Sequence, residues 1–136
     1  MKNSILILIG TLSLTILFSL NARPQEKEPM VRMAKIKVDP LQLNEYNAAL
    51  KEQMNTAVKL EPGVLSYYAV AEKVDPSVIT IIEVYADTAA YKAHIATPHF
   101  KKYKAKVEEM VKSLELVGLN VIGVARKPEC KLKGGY

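Results

Sequence analysis

The chain has 136 residues, with 19 Lys and Arg against 14 Asp and Glu, a formal net charge of +5, a single Cys and no Trp. One compact domain fits that length and two do not. Cys130 alone allows neither an intramolecular disulfide nor a thiolate metal cluster, and the lysines of residues 101–106 and of the tail read as a solvated surface rather than a nucleic-acid stripe.

Behind Lys2, residues 5–20 form an apolar run broken only by Gly, Ser and Thr. The run is shorter than the roughly 20 residues that span a bilayer and has the pattern of a secretory signal. Residues 1–22 are therefore expected to be a signal peptide, 23–30 a polar tether, 31–126 the folded domain and 127–136 a polar C-terminal tail. Leu20 suits the minus-three position of a cut after Ala22 poorly, which keeps an uncleaved anchor as the alternative. The expected location is exported, periplasmic or secreted, with no stable membrane insertion once the signal is removed. In that oxidising compartment Cys130 is either an idle surface thiol or an intermolecular disulfide.

Residues 30–38 are rich in Val, Ile and Met, with Lys35 and Lys37 on alternate positions, which predicts a strand with one wet side. Asp39 is a good N-cap, Pro40 suits the first helical position, and Gln42 stands where it can complete a capping box. Leu43, Tyr46, Leu50, Met54 and Ala57 then recur at steps of three and four, giving a helix with one apolar stripe that Glu61-Pro62-Gly63 stops. Residues 64–72 and 78–85 are β-branched and aromatic runs across the turn Val74-Asp75-Pro76-Ser77, an antiparallel hairpin. Asp87 caps a short helix through Ala96. Thr97 and Pro98 open another, with Phe100, Tyr103, Val107, Met110 and Leu114 as its stripe. Residues 116–126 are expected to form the last strand, with Gly118 and Gly123 relaxing it for a bend or a close contact.

This order predicts an α+β, ferredoxin-like split βαββαβ fold with an antiparallel sheet and helices on one face. The other face would expose many of Val31, Met33, Tyr67, Ile79, Ile81, Val84 and Val121, with the register open by one residue. Such a bare apolar face asks for a partner, so a homodimer is expected.

The run Glu83 to Phe100, a strand entering a capped helix and then a Thr97-Pro98-His99-Phe100 corner, resembles the hallmark of the antibiotic biosynthesis monooxygenase family. Glu61-Pro62-Gly63-Val64-Leu65-Ser66-Tyr67 is similar to that family's other recurrent segment, in the same order and spacing, and the resemblance covers residues 31–126. It implies a dimeric α+β barrel. It also implies a reaction in which a small quinol-like or phenolic substrate is deprotonated and its anion reduces oxygen directly, with no cofactor. Haem degradation is disfavoured, because members that do it rely on a Trp that this chain lacks. An isomerase of a small signal molecule shares the Thr-Pro-His corner, and a non-catalytic binding module for a small aromatic ligand is the other alternative.

Candidate groups are few. Thr97 and Pro98 put His99 in the first turn of its helix, where the dipole favours an anion and a neutral imidazole, so His99 is a candidate base or a brace of the corner. Tyr103 shares its helical face four residues on. Glu83, a carboxylate within an apolar strand, is a catalytic candidate or a structural charge with a hidden partner. Tyr67, His94 and Phe100 are candidate substrate contacts, His94 also reading as structural or exposed. Two histidines without HExxH spacing give no metal signature, and no glycine-rich phosphate loop follows a strand, so nucleotides and flavin dinucleotide have none either.

Overall fold

The computed structural model describes residues 28–125 and residue 127. The expected signal, most of the tether, Cys130 and nearly all of the tail lie outside the described residues. The elements run β1 (Met30–Val38), α1 (Leu43–Leu60), β2 (Val64–Ala71), β3 (Val78–Tyr85), α2 (Thr88–Ala96), α3 (Pro98–Val107) and β4 (Val111–Leu119), with 3₁₀ turns before α1 and after α3. All pairings are antiparallel in the order β2-β3-β1-β4, and the helices cover one face. This is the ferredoxin-like α+β fold. Among the described residues no helix is long and apolar enough to cross a membrane.

Helix starts follow their caps. Asp39 Oδ1 accepts from the Leu41 N–H at 3.0 Å and so caps the 3₁₀ turn that leads into α1, while Asp87 Oδ1 accepts from the Ala90 N–H at 2.8 Å and Thr97 Oγ1 from the Phe100 N–H at 3.3 Å. The capping box expected through Gln42 does not form, because the Asp39 N–H instead donates to the Met110 carbonyl at 2.8 Å. Tyr46, Leu50 and Ala57 are buried as their spacing predicts, and Leu43 and Met54 pack beside them.

Three sequence expectations need correction. The last strand begins at Val111 rather than 116 and ends at Leu119, so Leu114 belongs to it and not to the α3 stripe. Pairing with the central strand β1, from Val38↔Val111 to Val31↔Leu119, fills that strand's free edge and outweighs helical periodicity. Gly118 makes no close contact, since a Cβ there would meet nothing within 4 Å. Finally, Tyr67, Ile79 and Ile81 face the helices instead of the bare side. A register shift between Val64 and Ser66 is the cause for Tyr67: the bulge changes the strand's parity, so Val64 and Tyr67 both turn inward.

The outward face carries two apolar rungs, Tyr68–Ile82–Met33–Val117 and Val84–Val31–Leu119 with Ser66 at its end. Next to them the rungs turn polar through Thr80, Lys35 and Glu115, the last two 3.7 Å apart.

Gly63 is required by packing rather than by backbone angle. A Cβ there would lie 2.5 Å from the Ala90 Cβ, so the Glu-Pro-Gly turn touches α2 directly. That contact brings Glu61 up to the start of α3.

Candidate active site

Between the inner face of the sheet and the three helices lies a cavity of about 280 Å³. Its walls are mostly apolar, with Ile36, Leu50, Ile81, Phe100 and Val107 among them. Leu114 and Leu116 of the edge strand line one side and remain about half exposed, so the cavity opens along β4. Few polar groups reach it, which is the usual make-up of a small-molecule site.

Glu83 is the inward carboxyl of β3, paired across the ladder with Arg32 on β1 and Tyr67 on β2. Burial pushes its pKa up, against the opposing pull of Arg32 and a hydrogen bond from Tyr85. Tyr85 donates to Glu83 Oε2 at 3.2 Å, and its oxygen lies 2.8 Å from that of Tyr67. The Tyr67 oxygen is also 2.8 Å from His94 Nε2, and His94 Nδ1 is 2.8 Å from Glu61 Oε1. Burial, reinforced by the Glu83 charge, pushes both phenols above their ordinary range. A second phenol pair, Tyr103 donating to Tyr46 at 3.1 Å, closes the α1–α3 side, both raised by burial.

Tyr67, Glu83, His94, Phe100 and Tyr103 thus all line the cavity. His99 does not. Its Nε2 lies 2.7 Å from Glu61 Oε1 and 3.3 Å from Thr97 Oγ1, and its side chain keeps 24% of its exposure where that of His94 keeps 1%. His99 and Tyr103, placed on one helical face by spacing, therefore go to different partners. The exposed reading of His94 is overturned, because Glu61 and Tyr67 satisfy both of its ring nitrogens in a fully buried position.

Two residues of the site escaped sequence reasoning. Gln53 sits within the apolar stripe of α1 and lines the cavity, its buried Nε2 without a partner among the described residues; a polar residue at a stripe position was the available signal. Glu61 gave no signal, because its partners His94 and His99 lie far along the chain. With those two it forms a group whose ligand atoms lie within 4.8 Å of one another and could hold a metal ion.

The family model for antibiotic biosynthesis monooxygenase matches residues 29–106. The chain belongs to this family. Among solved structures of antibiotic biosynthesis monooxygenase relatives, one from Bacteroides thetaiotaomicron, provisionally named as such, is 54% identical, with 74% of this chain and 97% of that one aligned at a TM-score of 0.71. A provisionally named monooxygenase from Lactobacillus acidophilus is 30% identical over 70% of this chain, at a TM-score of 0.67; the present chain spans 46% of its length. A family structure from Caulobacter crescentus, 23% identical, covers 72% of this chain and 93% of that one and shares the fold at a TM-score of 0.67. None of the curated proteins matches.

Proposed function

We propose that this protein is a cofactor-independent monooxygenase of small quinol-like or phenolic molecules, exported and working as a homodimer. The observation that carries the reading is Glu83, a carboxyl with raised proton affinity set in the wall of a mostly apolar cavity. Such a group is matched to removing the proton of a phenolic O–H, and apolar walls keep the resulting anion reactive toward oxygen by excluding water. The cavity volume suits one or two fused rings. Gln53 Nε2 supplies a buried donor for the substrate oxygen as charge develops on it.

The chemistry balances without a bound redox group. The phenolate gives an electron to O₂, the two radicals combine at a ring carbon, and the hydroperoxide loses water to leave a carbonyl. One oxygen atom enters the product and the other leaves as water, whose two hydrogens come from the ring C–H and the phenolic O–H.

An oxygen electrode run against a panel of quinols and polyphenols, with mass analysis under ¹⁸O₂, tests this. Oxygen uptake with one heavy oxygen in the product is expected. Saturable binding of these molecules without uptake would overturn it in favour of a non-catalytic binding module.

A further inference from the structure

Four contacts link five groups in series: Glu83 to Tyr85, Tyr85 to Tyr67, Tyr67 to His94 and His94 to Glu61. Each needs one proton between its heavy atoms. Two phenols and a neutral imidazole supply three. If Glu83 were ionised and His94 neutral, with Nδ1–H on Glu61, Tyr67 would have to donate to His94 and Tyr85 to Glu83. The two phenol oxygens would then face each other at 2.8 Å with no hydrogen between them. A fourth proton resolves this in either of two arrangements: it sits on Glu83, with every bond pointing toward His94, or on His94 Nε2, with every bond pointing toward Glu83.

We propose that Glu83, Tyr85, Tyr67, His94 and Glu61 form a proton relay that holds one shared proton and connects the cavity to the solvent-facing rim at His99. The raised pKa values of Tyr67 and Tyr85 keep them from ionising, so each passes a proton only by accepting one as it donates another. With the shared proton on His94, Glu83 is a free base. Glu83 becomes this base when each proton shifts one bond along the chain, from Glu83 to Tyr85, from Tyr85 to Tyr67 and from Tyr67 to His94 Nε2; a substrate O–H then gives its proton to Glu83, which returns it to the hydroperoxide as water is lost. The charged and titratable groups facing this chain are Arg32 across the ladder from Glu83, His99 from α3 against Glu61, and Lys104, which lines the cavity from α3.

The alternative use of Glu61, His94 and His99 is a metal centre, and metal titration separates it from the relay.

The proposal deepens the function above, but its test needs neither substrate nor oxygen. The full chain, labelled with ¹⁵N in histidine and ¹³C in glutamate carboxyls, is titrated by NMR with no ligand present. In the wild type, the protonated fractions of His94 Nε2 and the Glu83 carboxyl should add to one proton, one rising as the other falls. Glu83→Gln removes the carboxylate charge that balances a proton on His94 and lets a side-chain amide donate to Tyr85 in its place, so His94 Nε2 should shift toward its unprotonated position. Tyr67→Phe should leave the two groups titrating independently. A His94 signal indifferent to Glu83→Gln would overturn the relay even if the enzyme oxidises quinols, as would equimolar Zn²⁺ or Mn²⁺ binding saturably through His94 and His99. Failure to find any oxidisable substrate would leave the NMR result standing and remove only the monooxygenase reading.

Discussion

On β3, Ile79, Ile81, Glu83 and Tyr85 point toward the helices, while Thr80, Ile82 and Val84 point away, and the two sets meet opposite requirements. The inward set builds an apolar cavity into which a carboxyl is admitted because a chain of hydrogen bonds reaches it. The outward set contributes to two apolar rungs that nothing among the described residues covers. One alternating strand can therefore serve a site and an interface at once, and the bulge at the start of β2 decides which of the two receives Tyr67.

Glu83→Gln tests the inner face. Turnover of any quinol found to be oxidised should fall by roughly 10²-fold or more, the scale of one acid–base group, with the fold retained. The stability consequence has a definite sign. Because burial raises the folded pKa of Glu83, the native chain holds this proton to higher pH than the unfolded chain does. Stability in the wild type should therefore decline as pH rises from the unfolded value through the folded one and then level off. Denaturant titrations of Glu83→Gln should lack that decline.

On the outer face, Met33→Glu puts a charge in the middle of an apolar rung. If that face is the dimer interface, an uncompensated buried charge of about 3 kcal/mol should weaken association by roughly 10²-fold, visible as monomer mass in light scattering at micromolar concentration. Phenol binding in the cavity should survive. Two smaller changes probe how the site is held. Gly63→Ala drives a methyl into Ala90 and should cost about 1–3 kcal/mol; added Ala90→Gly should restore the melting temperature. Thr97→Ala removes the α3 cap and the bond to the His94 carbonyl at 2.7 Å, for a loss of about 1 kcal/mol, or about 4–8 °C, while Thr97→Ser should keep most of it.

Much of the fold was legible because caps and periodicity are local. Asp39, Asp87 and Thr97 announced three helix starts, and the alternation of Lys35 and Lys37 set the wet side of β1 correctly. Tyr67 was misplaced because a one-residue bulge inverts parity and leaves no mark in composition. The start of β4 was missed because Val107, Met110 and Leu114 continue a helical rhythm that only pairing with β1 interrupts. The site was legible as a set of residue types. Its wiring was not, since the direction a ring such as His99 takes depends on Glu61, a residue quoted only as part of a turn and joined to both histidines by tertiary contact alone.

The most direct test of Glu83 as the base is anaerobic. A chromophoric phenol whose solution pKa lies a unit or two above neutral is added to the wild type and to Glu83→Gln without oxygen, and the absorbance of the bound species is recorded. A phenolate band on the wild type and a neutral phenol band on equally well bound Glu83→Gln is the expected result. A phenol that stays neutral in both, or ionises in both, would show that Glu83 does not take the proton.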